Sequence, residues 1–147
     1  GGMPLGAFVS SQKIMSTLTH NPVLGHITTF GGHPVCCAAG LAAMKFLQEG
    51  KVVEDVERKG AMYESLLQDH PAVKEIRRSG LLLAVELGES EKLYKIMDHF
   101  IEEGILSDWF LFCDTAFRIS PPLTISEAEI LESVLLIREA LDRLMNE

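Results

Sequence analysis

Two short stretches of this sequence hold residues whose types and spacing suit chemistry. In Thr28-Thr29-Phe30-Gly31-Gly32-His33-Pro34, two hydroxyls precede a pair of glycines, and a proline follows where a helix can start. A phosphate-like dianion wants convergent hydroxyl and backbone N–H donors, and a Gly-rich turn leading into a helix supplies both. Glycine at 31 and 32 lets the backbone approach such a group closely. Taken alone, the same residues equally describe a tight turn that merely opens a helix. His33 reads as an N-cap or a buried hydrogen-bonded ring rather than a catalytic group.

The second stretch is Phe117-Arg118-Ile119-Ser120-Pro121-Pro122-Leu123-Thr124. A guanidinium holds a planar carboxylate through two parallel hydrogen bonds and so fixes the plane of an amino acid. Pro121 and Pro122 stiffen the chain just after Arg118, which helps to aim the side chain. The alternative is an arginine on an edge strand paired with Asp114 or a helix carboxylate, a surface ion pair of little energetic weight.

The chain has 147 residues, enough for a domain with a real core, and its 47% hydrophobic and 23% charged content is ordinary for a soluble globular protein. No apolar run approaches the roughly 18 residues of a membrane span, so no membrane segment is expected. A net charge of −8 argues against nucleic-acid binding. Three cysteines make neither a disulfide framework nor a zinc spacing, and a reducing, cytoplasmic setting is the simplest expectation. Residues 1–50 contain only Lys13, Lys45 and Glu49 as charged side chains, which leaves a net −9 on residues 51–147. So charge-poor a segment is expected either in a core or covered by another domain or subunit.

The elements that must position these residues follow from pattern. Leu5–Ser10 reads as a short buried strand, Gln12–Leu18 as a brief helix ended before Asn21-Pro22, and 19–32 as loop. A helix rich in small residues runs from His33-Pro34 to Glu49 and stops at Gly50. A second runs from about Val52 to Asp69. Two strands, Val73–Arg78 and Leu81–Leu87, are joined by a tight turn at Ser79-Gly80. A helix over about 90–103, capped by Gly104, leads to strands at about 105–106, 109–112 and 117–119. Trp109, Phe110, Phe112 and Cys113 are expected in the core. Ser126-Glu127-Ala128-Glu129 is a capping box opening a last helix with Ile130, Val134, Ile137, Leu141 and Leu144 on one face. The order predicts an α+β unit with a small, mainly antiparallel sheet covered by helices on one face.

With Gly1-Gly2-Met3-Pro4-Leu5-Gly6-Ala7-Phe8, the two stretches above resemble, in order and spacing, the carboxyl-terminal part of class III pyridoxal-phosphate (PLP) aminotransferases of the ornithine and acetylornithine kind. His33 stands where ornithine aminotransferases commonly have Asn, and the run around Ser79-Gly80-Leu81-Leu82 is similar to a strand-opening Gly-Leu element of the family, read as structural. The resemblance implies a fold-type I PLP enzyme. Residues 1–50 would be the tail of the cofactor-binding large domain with a linking helix, and 51–147 the carboxyl-terminal small domain. It implies that Thr29, with Thr28 beside it, serves the cofactor phosphate of the other subunit of a homodimer, and that Arg118 binds the substrate carboxylate.

The resemblance also implies that the lysine carrying the cofactor lies just before the Gly-Gly-Met-Pro run, so that this chain is a fragment inert by itself. None of its seven lysines is expected to take that role: Lys51, Lys59, Lys74, Lys92 and Lys95 lie in polar, solvated stretches, and Lys13 and Lys45 match no family lysine. The implied parent reaction moves an amino group from an ornithine- or acetylornithine-like donor to 2-oxoglutarate by a ping-pong mechanism. Two rivals stand beside it: another class III reaction, such as an ω-amino acid:pyruvate aminotransferase or an aminomutase, and a non-catalytic dimerisation module. Many of the former lack the arginine before Pro-Pro.

Overall fold

A computed structural model describes residues 2–21, 23, 25 and 27–146, and divides the chain into two compact units, Gly1–Gly50 and Lys51–Glu147. Gly1 of the initial glycine turn and Pro22 of the helix stop lie outside the described residues.

In the first unit, α1 (Gln12–Met15) begins at Ser11, whose hydroxyl accepts from the Ile14 N–H at 3.3 Å, and a 3₁₀ turn (Ser16–Leu18) continues it. The helix α2 (Pro34–Glu49) starts with proline in its first turn and ends at Gly50. Residues 5–10 form no strand. A strand requires a neighbouring strand to pair its backbone, and none of the described residues of this unit supplies one. Phe8 and Val9 stand exposed, and the Leu5 side chain lies against Gly40 of α2, where a Cβ on that glycine would meet it. No described residue of 2–50 is buried, so the charge-poor segment does not form a core of its own.

The second unit is built on a four-stranded antiparallel sheet of order β1-β2-β4-β3, with β1 at Glu75–Ser79, β2 at Leu82–Glu86, β3 at Asp108–Phe110 and β4 at Cys113–Ile119. Three helices supply the other layer: α3 (Val56–Leu67), α4 (Ser90–Glu102) and α5 (Glu127–Met145). Leu83, Val85, Phe117 and Ile119 project from one face of the sheet into a core completed by Tyr63 and Leu67 of α3, Leu93, Ile96 and Phe100 of α4, and the whole predicted stripe of α5. Phe100 meets Phe117 edge-to-face with ring centroids 5.1 Å apart. The fold is therefore α+β, with helices on one face of a small antiparallel sheet.

Local chemistry explains the boundaries. The β1–β2 turn places Gly80 at a φ of 56°, and Ser79 pairs directly with Leu82. The capping box forms as written: Ser126 accepts from the Glu129 N–H, and the Glu129 carboxylate takes the Ser126 N–H at 2.7 Å. Below α3, the Ala72 N–H donates to His70 Nδ1, which leaves Nε2 as the proton-bearing nitrogen facing Asp142 at 3.2 Å. Helix α3 starts four residues later than periodicity suggests, because residues 52–55 are taken up by a turn after Lys51, whose φ is 52°. The aromatic run is corrected too. Phe112 and Leu111 form the exposed β3–β4 turn, and Trp109 stands on edge strand β3, half-exposed against Tyr94. β3 has a neighbour on one side only, and none of its residues is buried, whereas β2 and β4, flanked on both sides, carry the buried residues of the sheet.

Candidate anion-binding sites

The two stretches singled out by their chemistry fall in different units. Thr28 and Thr29 occupy one turn of the first unit, and Arg118 lies on β4 of the second.

At the turn, the Gly31 N–H donates to the Thr28 carbonyl at 3.2 Å and the His33 N–H to the Phe30 carbonyl at 3.2 Å, so two tight turns follow each other directly into α2. Gly32, with a φ of 71°, takes the left-handed slot of the second turn. A Cβ on Gly31 would stand 2.6 Å from the Thr28 Oγ1, so glycine is what leaves that hydroxyl uncovered. Both threonines are exposed, and neither hydroxyl has a hydrogen-bond partner among the described residues. His33 is the N-cap, as one of its two readings expected, but its side chain makes no cap bond and the ring is exposed, in edge contact with Phe30. Bare hydroxyls, glycine-lined backbone and the N-terminus of a 16-residue helix make an exposed donor set suited to an anion.

Arg118 sits on an interior strand, between β2 and β3, rather than on an edge. Its cross-strand neighbours are Ala84 and Asp108, and beyond Ala84 comes Arg77, so Arg77, Ala84, Arg118 and Asp108 form one row on the face opposite the core. Its ion-pair partner is Asp108, Nη2 to Oδ2 at 3.4 Å, and not Asp114, which accepts the Ser90 hydroxyl instead. Asp108 is held from behind: its Oδ1 accepts the Trp109 N–H at 2.9 Å. The Ser107 hydroxyl donates to the Arg118 carbonyl at 2.6 Å and pins the strand at that point.

How fully the arginines of this chain are engaged separates Arg118 from the others. Arg58, Arg77, Arg78 and Arg143 each bond two carboxylates, and Arg138 bonds Asp69 and the Leu66 carbonyl. Arg118 has one long contact to one carboxylate oxygen. Such single-point contacts are weak beside a bidentate pair at 2.7–2.9 Å. Ala84 adds room, since its methyl leaves the space between the two arginines of the row open. Arg77 is already neutralised. Glu86, its partner, is held below the usual carboxylate range: burial pushes it up, but the Thr115 hydroxyl, the Arg77 guanidinium and the Gly88 N–H outweigh that. The result is one underused guanidinium on an otherwise charge-matched sheet face. Arg118, with Ser107 and Asp108, is also among the residues that line a cavity of about 500 Å³, together with Phe100, Ile105, Phe117 and Ile137 of the core side.

Lys59 departs from expectation. It is buried on α3, where its ammonium donates to the Leu123 carbonyl at 3.2 Å and lies 3.8 Å from Asp55. Its apolar stem is covered because α3 packs against the loop that follows Pro122, a long-range contact that no local pattern announces. Asp108 escaped notice for the same reason. The register that puts it opposite Arg118 depends on β4 inserting between β2 and β3.

The aminotransferase class III family model matches residues 1–141. The chain belongs to the class III aminotransferase family. Among solved structures it is similar to the ornithine aminotransferase of Toxoplasma gondii, at 31% identity and a TM-score of 0.73, covering 90% of this chain and 32% of that one. It is also similar to the acetylornithine aminotransferase of Elizabethkingia anophelis (28% identity, TM-score 0.69, 80% of this chain and 32% of that one). The ornithine delta-aminotransferase of Plasmodium falciparum matches at 27% identity and a TM-score of 0.72, over 83% of this chain and 32% of that one. This class III chain thus spans about a third of the length of the enzymes it matches. The range matched by the family model includes Thr28, Thr29 and Arg118.

Proposed function

We propose that this chain is the phosphate- and carboxylate-gripping part of a PLP-dependent aminotransferase that moves an amino group from an ornithine- or acetylornithine-like amino acid to 2-oxoglutarate. The observation that carries the reading is Arg118, a guanidinium left with one long contact on a face where its neighbours are fully paired. It suits an amino-acid or oxo-acid carboxylate, which offers the two parallel acceptors that Asp108 does not.

The Thr28–Pro34 turn fits the phosphate end of PLP. Thr29 and Thr28 would donate hydroxyls, and the first N–H groups of α2 would favour the negative charge. When bound, PLP supplies an electron sink that makes the transfer of an amino group feasible. What this chain contributes is grip and orientation. Arg118 fixes the plane of the substrate carboxylate, Ser107 and Asp108 hold the strand and guanidinium, and the Gly31–Gly32 backbone leaves space for a phosphate. Lys59, the one buried lysine, is occupied by Leu123 and Asp55, so no lysine of the chain is suited to anchor the cofactor and the chain is inert on its own. We further place the protein as a cytoplasmic homodimer in which Thr29 serves the partner subunit's cofactor. The exposed apolar side chains of residues 2–50, Phe8, Val9 and Phe46 among them, support a covered position for this unit.

The test is Arg118→Ala in the full-length enzyme. KM for α-carboxylate substrates should rise about tenfold or more, while simple amines without a carboxylate keep theirs. Equal loss for both classes would favour another class III reaction in which Arg118 plays no part in substrate binding.

A further inference from the structure

Arg118 does not stand as an isolated positive charge. Asp108 faces it across the β3–β4 ladder, and three contacts keep it there: the strand register, the Trp109 N–H on its Oδ1, and the Ser107 hydroxyl on the Arg118 carbonyl. We propose that Asp108 is the specificity-determining residue of the Arg118 site, making that site favour carboxylates that carry an ammonium group on the adjacent carbon over the same carboxylates without one. The inference rests on the reading of Arg118 as a carboxylate ligand and names which carboxylates it prefers.

A ligand carboxylate that takes Arg118 with two hydrogen bonds displaces a single contact of 3.4 Å. Asp108 does not leave when that happens, because its other oxygen is tied to its own strand. The site then holds two carboxylates beside one guanidinium. Like charges within about 4–6 Å disfavour each other and opposite charges are favoured over the same range. An ammonium one carbon from the ligand carboxylate supplies the missing positive charge. A plain carboxylate, an oxo acid or an acetylornithine-like carboxylate, whose α-nitrogen is an uncharged amide, does not, so of the two proposed donors the site favours the ornithine-like one. Arg77 cannot compensate, since Glu75 and Glu86 already neutralise it and Ala84 separates it from Arg118. Both members of the pair are partly exposed, so water screens the effect to a few-fold preference.

The experiment uses the full-length protein with Asp108→Asn, which keeps the acceptor for the Trp109 N–H and replaces the anionic oxygen facing Arg118 by an uncharged amide NH2. Two constants are compared: KM for L-glutamate and the inhibition constant for glutarate, its counterpart without the amino group. Calorimetric titration of the same two ligands into cofactor-free protein gives a readout that needs no turnover. Glutarate should bind about twofold more tightly and glutamate about twofold more weakly, shifting their ratio about fourfold, with Asp108→Glu restoring the wild-type ratio. Equal shifts of both ligands in one direction, or no shift in either, would overturn the role of Asp108. Arg118→Ala separates the two levels: both ligands should weaken together, and if neither does, the carboxylate reading of Arg118 falls and this inference with it.

Discussion

Gly60 of α3 lies against the carbonyl of Gly80 in the β1–β2 turn, so closely that a Cβ on Gly60 would overlap that oxygen. The contact lets the helix settle on the hairpin and brings Arg78 within reach of Glu57 and Glu64. Neither partner of the clash is a flexible side chain, so helix and turn would have to move apart. Gly60→Ala should therefore destabilise the protein by about 1–3 kcal/mol, despite alanine's better helix propensity, as read by the midpoint of urea unfolding.

Tyr63 donates its hydroxyl to the Ser133 Oγ at 2.7 Å, because the Ser133 proton is already directed at the Ile130 carbonyl. Burial pushes the Tyr63 phenol above its ordinary range, with the Ser133 bond acting against that rise. Tyr63→Phe removes one neutral hydrogen bond and leaves Ser133 its other partner. The expected cost is about 1 kcal/mol in thermal or urea unfolding, with the ring's packing preserved.

Acid should unfold residues 51–147 through their paired carboxylates. Hydrogen bonds from Arg58, Arg78, Arg138 and Arg143 hold Asp55, Glu57, Asp69 and Glu102 below their ordinary values, and Ser126 does the same for Glu129. Groups depressed by folding contribute stability that is complete above their unfolded values, about 4, and lost as pH falls through the lower folded ones. Stability should be level from neutrality down to about pH 5 and decline below about pH 4. Because the pairs are exposed, 1 M salt should flatten that decline. A pH series of urea midpoints at two salt concentrations measures both.

At the other unit, Thr29→Val keeps the shape of the side chain and deletes its hydroxyl. Hydrogen bonds to charged groups contribute about 1.5–3 kcal/mol, so PLP affinity of the full-length protein should fall by about tenfold or more, read by absorbance titration of the cofactor-free form. Thr29→Ser should retain most of the affinity.

What the sequence announced and what it withheld divide along physical lines. Helix α5 was legible because Ser126 and Glu129 fix its start and five apolar residues fix its face, all within one stretch of chain. The β1–β2 hairpin was equally plain, since Gly80 supplies the turn locally. Arg118 was singled out through the resemblance of Arg118-Ile119-Ser120-Pro121-Pro122-Leu123 to the family's element; its residue type alone fitted a surface ion pair equally well. Its partner was not found, because Asp108 and Arg118 meet only once β4 has inserted between β2 and β3, an order that local pattern does not encode. Leu5–Ser10 looked like a buried strand since its apolar content is that of one. Content alone does not provide a neighbour to pair with. Lys59 looked solvated for a similar reason, its cover coming from a loop 64 residues away.

The absence of any buried residue among the described part of 2–50 has a consequence for how the chain breathes. Amide protons there, α2 included, have only local helical bonds to shield them and should exchange with deuterium in seconds to minutes. Those of β2, β4 and α5 wait for global opening. A polypeptide of this length by itself should then show two populations of exchange rates that change near Gly50, and whatever covers Phe8, Leu41 and Phe46 should reveal itself by slowing the first population alone.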